Sequence, residues 1–432
     1  MMPTPPSVSR ALCGAFVLLL SLAACATSSA PDPADTPRDA AHVAQPATHA
    51  TDHIEPLSMH RPMPIVIAHR GASGHRPEHT LEAYALAIRQ GADFIEPDLV
   101  PTRDCVLIAR HENELSGTTD VADRPEFADR RTTKRIDGER VTGWFSEDFT
   151  LAQIKTLRAR ERIPAVRPGN TAYDGRFEVP TLVEILDLVR RESRDGRQVG
   201  IYPETKHPTY FAREGRHIDG TPIARSLGRL LVETLVAEGF TDPERVRIQS
   251  FEIENLLELR REIMPRAGVH FPLVQLFGRL DADAPYDVIH HAAAGTPPQT
   301  VYGDFVAAVD GGLGAATRYR ALSAPAALAW MRAAYADGIG PSKADVLDER
   351  PPGLIAAARG AGLSVHVYTL RAERVFLARG QRTAEDEAVR LFTLGADGIF
   401  ADQPELALAA RARFLDQAGE GGDARPTEDG SD

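Results

Sequence analysis

Between Val66 and Glu112, three hydrophobic runs each stop on a chemically capable polar group. Val66, Ile67 and Ala68 lead into His69-Arg70-Gly71, Phe94 and Ile95 lead into Glu96-Pro97-Asp98, and residues 106–109 lead into Arg110-His111-Glu112. Short apolar runs of this kind, bounded by turn residues, read as buried strands. Functional groups at the ends of successive strands are how a (β/α)8 barrel assembles a site. Between the first two runs, Leu81, Tyr84, Ala85 and Ile88 follow helical spacing, and Gly91 is placed to end the helix. Strand, helix, strand within that length predicts parallel strands joined by a right-handed crossover.

The same alternation continues. Further strands are predicted at 199–203, 245–249, 269–276, 338–340, 364–369 and 398–400. Helices are predicted at 182–190, 223–238, 253–261, 324–336, 353–361 and 385–394. One strand too many results for an eight-stranded ring, and Gly338-Ile339-Gly340 is the first suspect to fall outside it. The fold expected is a TIM (β/α)8 barrel over residues 61–412, with no second linker to divide it. The polar, turn-rich stretch 113–180 is expected to be an inserted subdomain after the third strand, near the active face.

The N-terminus reads as an address. Arg10 precedes an apolar run over 11–22 that is too short to span a bilayer comfortably, and Leu22-Ala23-Ala24-Cys25 looks like a bacterial lipobox. Residues 1–24 are therefore expected to be a lipoprotein signal peptide, with lipid on Cys25 holding the protein to a membrane. Plain secretion with cleavage near Ala24 or Ala30 is the competing reading. The protein is thus expected in the periplasm, membrane-anchored, and Ala26, in place of Asp, mildly favours the outer membrane. Residues 25–60 lack an apolar period and read as a flexible tether, including His42, His49, His53 and His60. Residues 413–432 read as a disordered acidic tail. Cys105 is the one cysteine left in the body and is expected to fill core. A formal charge of −12 argues against nucleic acid as a partner, since a basic face marks that function. An acidic protein that binds phosphate needs a local positive centre, which a bound cation supplies.

Glu96 and Asp98 are two apart on a strand, so their carboxylates face one spot. Like charges that close repel unless a cation or proton intervenes, and Ca2+ or Mg2+ takes such oxygen ligands. Pro97 between them fits only where the strand is ending. Glu204 and Lys206 repeat the spacing, as a third ligand and a phosphate contact, or as a plain surface ion pair. His69 and His111 are candidates for acid and base. Arg70 either forks two hydrogen bonds to a phosphate or pairs with Glu78 or a ligand carboxylate.

Taken in order, His69-Arg70-Gly71-Ala72, Pro77-Glu78-His79-Thr80, Glu96-x-Asp98, the His111 motif, Asp120-Val121-Ala122-Asp123, Tyr202-Pro203-Glu204-Thr205-Lys206, Val274-Gln275-Leu276, residues 336–341 and Gly398-Ile399-Phe400-Ala401-Asp402-x-Pro404 span nearly the whole barrel region. This set resembles the glycerophosphodiester phosphodiesterases, most closely their periplasmic, GlpQ-like branch. The resemblance implies hydrolysis of glycerophosphodiesters to sn-glycerol 3-phosphate and an alcohol, with a divalent cation, commonly Ca2+, with Mg2+ as the alternative. By position it implies Glu96, Asp98 and Glu204 as metal ligands, His69 and His111 as the catalytic pair, and Arg70 and Lys206 as phosphate contacts. It places Tyr368 in the glycerol pocket. The chain departs from the family pattern in having Glu112 where Asp is usual, and His366-Val367-Tyr368-Thr369 where a His-Pro-Tyr-Thr or Trp-Thr run is usual. Two rival expectations share the scaffold: a sphingomyelinase D-like enzyme acting on intact phospholipid, and a non-catalytic surface lipoprotein. A homodimer is compatible with the sequence.

Overall fold

A computed structural model of the protein describes residues 63–193 and 197–422. The expected signal peptide, lipobox and tether lie outside the described residues. Among the described residues no helix is long and apolar enough to cross a membrane.

The strands, in chain order, are β1 (Ile65–His69), β2 (Phe94–Glu96), β3 (Asp98–Pro101), β4 (Leu107–Ala109), β5 (Thr132–Ile136), β6 (Glu139–Gly143), β7 (Gly200–Ile201), β8 (Glu204–Thr205), β9 (Ile248–Ser250), β10 (Leu273–Leu276), β11 (Gly338–Gly340), β12 (Ser364–Leu370) and β13 (Gly398–Ala401). Pro97 separates β2 from β3, and Pro203 separates β7 from β8. A proline has no N–H to give the ladder, so each pair is one strand interrupted once. β2 pairs with β7 and β3 with β8, both in parallel. From β8 the parallel pairing runs through β9, β10, β11, β12 and β13 to β1, and β1 pairs with β2. The ring closes on itself with eight parallel strands, which is the TIM barrel.

The surplus strand is not the one suspected from sequence. Gly338–Gly340 sits fully inside the ring, between β10 and β12. Its glycines are dictated by its neighbours: a Cβ on Gly338 would stand 2.4 Å from Ser364 Oγ, and one on Gly340 2.5 Å from Leu276 Cδ2. The run at 106–109 is the outsider. Its strand β4 lies antiparallel on β3, reached through the Thr102–Cys105 turn, so the insertion leaves from an edge hairpin rather than from a barrel strand. Cys105 belongs to that turn, with φ of 63° and partial burial, and does not fill core.

Ile67, Phe94, Tyr202, Val274 and Phe400 fill the inside of the ring. A larger apolar cluster lies between the strands and the surrounding helices. Helices Leu81–Gln90, Leu182–Glu192, Leu227–Ala237 and Ala384–Leu394 each start where a Ser or Thr hydroxyl accepts a backbone N–H, at Thr80, Thr181, Ser226 and Thr383. Residues 110–180 carry the β5–β6 hairpin and several 3-10 turns before the chain rejoins the barrel at Leu182–Glu192. A second excursion after β10 holds short helices, Tyr286–Ala293, Pro298–Tyr302 and Phe305–Ala308, which the apolar period did not announce. The last helix, Pro404–Gly422, runs into the segment expected to be a disordered tail from residue 413.

Candidate active site at the strand C-termini

Glu96 ends β2, Asp98 opens β3 and Glu204 opens β8, so the two proline breaks put all three carboxylates at one rim of the barrel. One oxygen from each lies within 4.8 Å of the others, and all three residues are buried. Burial and the charge of Asp98 push the Glu96 carboxyl well up. Burial raises Glu204 to about 8, with Asp98 adding to the effect against Lys206. Asp98 goes the other way. Despite burial, Lys206, Arg70 and a hydrogen bond from His79 hold it well below the usual carboxylate range. Three buried carboxyl groups that resist ionising together, with hard oxygen donors and no thiol, fit a divalent cation such as Ca2+ or Mg2+.

The surroundings are built to hold this cluster. His79 Nε2 lies 2.9 Å from Asp98 Oδ2, and its Nδ1 lies 2.7 Å from the Tyr84 hydroxyl. Gln249 Nε2 donates to Glu96 Oε1 at 3.1 Å, and the Arg70 backbone N–H donates to Glu96 Oε2 at 2.9 Å. Lys206 Nζ lies 2.9 Å from Glu204 Oε1 and is 7% exposed, so the reading as a surface ion pair is excluded. Of the two readings of Arg70, the structure shows the ion pair, and it is made to both expected partners. Its guanidinium meets Glu78 at 3.1 Å and Asp98 at 3.2 Å.

The two histidines flank the cluster with different partners. His69 Nδ1 lies 2.6 Å from Asp402 Oδ1, which leaves Nε2 for the cavity. Burial, then the nearby Arg70, lowers the His69 pKa to about 4 against the pull of Asp402. His111 Nδ1 lies 2.6 Å from Glu112 Oε1, and its Nε2 lies 3.4 Å from Lys206 Nζ. Burial, then Arg70 and Lys206, lowers it to about 3. Burial and the nearby cations thus favour the neutral form of both imidazoles, each with a carboxylate on one nitrogen. Such a carboxylate fixes the tautomer and supports the charge that appears when the other nitrogen takes a proton. Glu112 keeps the charge of the usual Asp and uses its extra length to meet His207 Nε2 at 3.0 Å as well.

A cavity of about 120 Å3 joins these groups, and its walls include His69, Arg70, Glu96, His111, Glu204 and Tyr368. The Tyr368 hydroxyl donates to the Phe277 carbonyl at 2.5 Å, and its ring stands edge-on to Phe251 at 6.1 Å. Every residue predicted for the site from sequence is therefore at one rim. Three contributors were not singled out: His79, Gln249 and Asp402. His79 and Asp402 stood inside quoted motifs, but the carboxylate for His69 comes from 333 residues away, and only chain closure makes them neighbours.

The described arrangement has counterparts. A model of the glycerophosphoryl diester phosphodiesterase family matches residues 69–406. A glycerophosphodiester phosphodiesterase of Arabidopsis thaliana is 32% identical, over 82% of this chain and 87% of its own length. Enzymes of the same name from Haemophilus influenzae and Treponema pallidum are 29% and 27% identical, each over 79% of this chain and over 88% and 90% of their own lengths.

Proposed function

The chain belongs to the glycerophosphoryl diester phosphodiesterase family, and on that premise we propose that it hydrolyses glycerophosphodiesters to sn-glycerol 3-phosphate and an alcohol. The observation that carries the reading is the meeting at one rim of three buried carboxylates, two carboxylate-backed imidazoles and two cationic side chains, five of the seven lining one cavity. Glu96, Asp98 and Glu204 would hold the divalent cation, Ca2+ in our reading, and when bound it supplies Lewis-acid withdrawal of charge from the phosphate.

The protein's own groups do the rest. Arg70 and Lys206 share the charge of the phosphate oxygens as it grows in the transition state. One imidazole takes a proton from the nucleophile, which is water or the substrate's own glycerol hydroxyl. As the bond from phosphorus to the alcohol oxygen breaks, the other imidazole gives that oxygen a proton. A neutral histidine suits the base directly; the acid enters the step as imidazolium, and after each turnover the base releases its proton to solvent while the acid takes one up, so both return to their starting forms. Tyr368 and Phe251 form an apolar wall suited to the glycerol carbons.

The test is a coupled assay for glycerol 3-phosphate release from glycerophosphocholine, with and without Ca2+. Calcium-dependent release is expected. Release of free choline from lysolipids, with none of glycerol 3-phosphate, would move the enzyme to the sphingomyelinase D-like reading. We further propose export to the periplasm and attachment through lipid on Cys25, supported by the lipobox. Cys25→Ser should then shift the enzyme from the membrane pellet to the soluble fraction, and an unchanged distribution refutes the anchor.

A further inference from the structure

The inserted segment sends a buried arginine back into the barrel. Arg167 is 6% exposed. Its Nη2 lies 2.5 Å from Asp402 Oδ2, its Nε 2.5 Å from Glu373 Oε1, and its Nη1 2.9 Å from the Ser73 carbonyl. Asp402 is the carboxylate whose other oxygen meets His69 Nδ1 at 2.6 Å. Five residues earlier in the same stretch, Arg162 Nε donates to Glu78 Oε2 at 2.7 Å, and Glu78 is the carboxylate that holds the Arg70 guanidinium. Asn170 donates to the Ser73 carbonyl at 3.1 Å. One strap, residues 162–170, therefore grips the partners of both His69 and Arg70, from a part of the chain that contributes nothing to the cavity wall itself.

We propose that this strap positions the catalytic groups, Arg167 fixing His69 through Asp402 and Arg162 fixing Arg70 through Glu78. The inference rests on the proposed phosphodiesterase activity. The physical reason is directional. A lone carboxylate beside an imidazole can rotate about its last bond and offer either oxygen. With Oδ2 claimed by Arg167 and approached by Arg371 Nε at 3.0 Å, Oδ1 alone is left for His69, and the ring is held in one orientation. An imidazole held in that way transfers a proton along one line, and misplacement of such a group costs rate more than binding. Arg162 acts on a phosphate-binding side chain, so its loss reaches substrate affinity first.

Arg167→Met, Arg167→Lys, Glu373→Gln and Arg162→Met are compared with the wild type as full-length, Ca2+-loaded enzymes, reading kcat, KM and melting temperature. Arg167→Met should lower kcat by about tenfold or more with KM within about threefold, and Arg167→Lys should recover part of it. Glu373→Gln removes the charge of the other carboxylate Arg167 grips without touching Asp402, and should leave kcat within about twofold. Arg162→Met should raise KM severalfold with a smaller change in kcat. If Glu373→Gln reproduces the loss of Arg167→Met, the arginine merely fastens the insertion and the proposal falls. It falls equally if Arg167→Met turns over like the wild type. Should Arg167→Met not fold, Arg167→Lys decides: lowered kcat at an unchanged melting temperature supports the strap, and wild-type kcat overturns it. An unchanged KM in Arg162→Met removes that arm. A wild type that releases no glycerol 3-phosphate overturns the activity itself, an outcome distinct from an active wild type whose variants match it.

Discussion

Asp402→Asn is the sharpest single change to make in this site. The carboxylate has two acceptor oxygens, and both are used: Oδ1 faces His69 Nδ1 at 2.6 Å, and Oδ2 accepts from Arg167 at 2.5 Å. Asparagine has nearly the same shape but only one acceptor. If its oxygen turns to Arg167, its amide N–H2 faces His69 and forces the opposite tautomer. If its oxygen turns to His69, an N–H2 faces a buried guanidinium, and Arg167 keeps only one of its two carboxylate partners, Glu373. Either way a charge-assisted hydrogen bond is lost, an effect of about 1.5–3 kcal/mol. At about 1.4 kcal/mol per decade of rate, kcat falls by about 10- to 150-fold. KM should move little, because Asp402 lines no part of the cavity. The assay is glycerol 3-phosphate release at saturating Ca2+ and substrate, with a melting curve on the same preparation to separate misfolding from loss of chemistry. A folded Asp402→Asn enzyme with kcat within about twofold of wild type refutes the idea that His69 acts through this carboxylate.

His69→Ala and His111→Ala should each fold and lose about 100- to 10,000-fold in kcat, and wild-type turnover in either removes that histidine from the mechanism. Chelator should silence the enzyme and Ca2+ or Mg2+ should restore it; full activity in excess chelator refutes the metal requirement. Glu204 is raised to about 8 from 4.5, so in the metal-free protein its neutral form is the one folding favours. Metal-free stability from this group is thus greatest below about pH 4.5 and falls as pH rises towards about 8, and Glu204→Gln should flatten that slope in melting experiments while weakening cation binding. His207 sits between Asp137 at 2.6 Å and Glu112 at 3.0 Å, and these outweigh its burial to raise it to about 10. Its contribution is complete below about pH 6.5 and lost as pH passes about 10, so His207→Ala should lower the melting temperature at pH 6 far more than at pH 10.5. Equal losses at the two values would refute a charged His207.

Much of this site was legible in the sequence because it is local. Glu96 and Asp98 share a face through a period of two, and Pro97 between them marks a strand end. His69 and Arg70 end an apolar run that could only be a buried strand. Those signals need no knowledge of the rest of the chain. The assignment of β4 and β11 failed for the complementary reason. Apolar residues at 106–109 look more like a barrel strand than Gly338-Ile339-Gly340 does, yet ring membership depends on what lies alongside. The neighbours of β11 crowd in where a Cβ would stand, while β4 finds its partner in an antiparallel hairpin.

The sequence by itself determined the strand-end chemistry, the alternation that builds a parallel barrel, and the donor set suited to a hard cation. The tertiary structure decided which strands close the ring, and which distant groups meet: Asp402 with His69, Glu112 with His207, Arg167 with Asp402. Periodicity reports on residues a few positions apart. Asp402 reaches His69 only when the last strand pairs with the first, and Glu112 reaches His207 only when β3 pairs with β8.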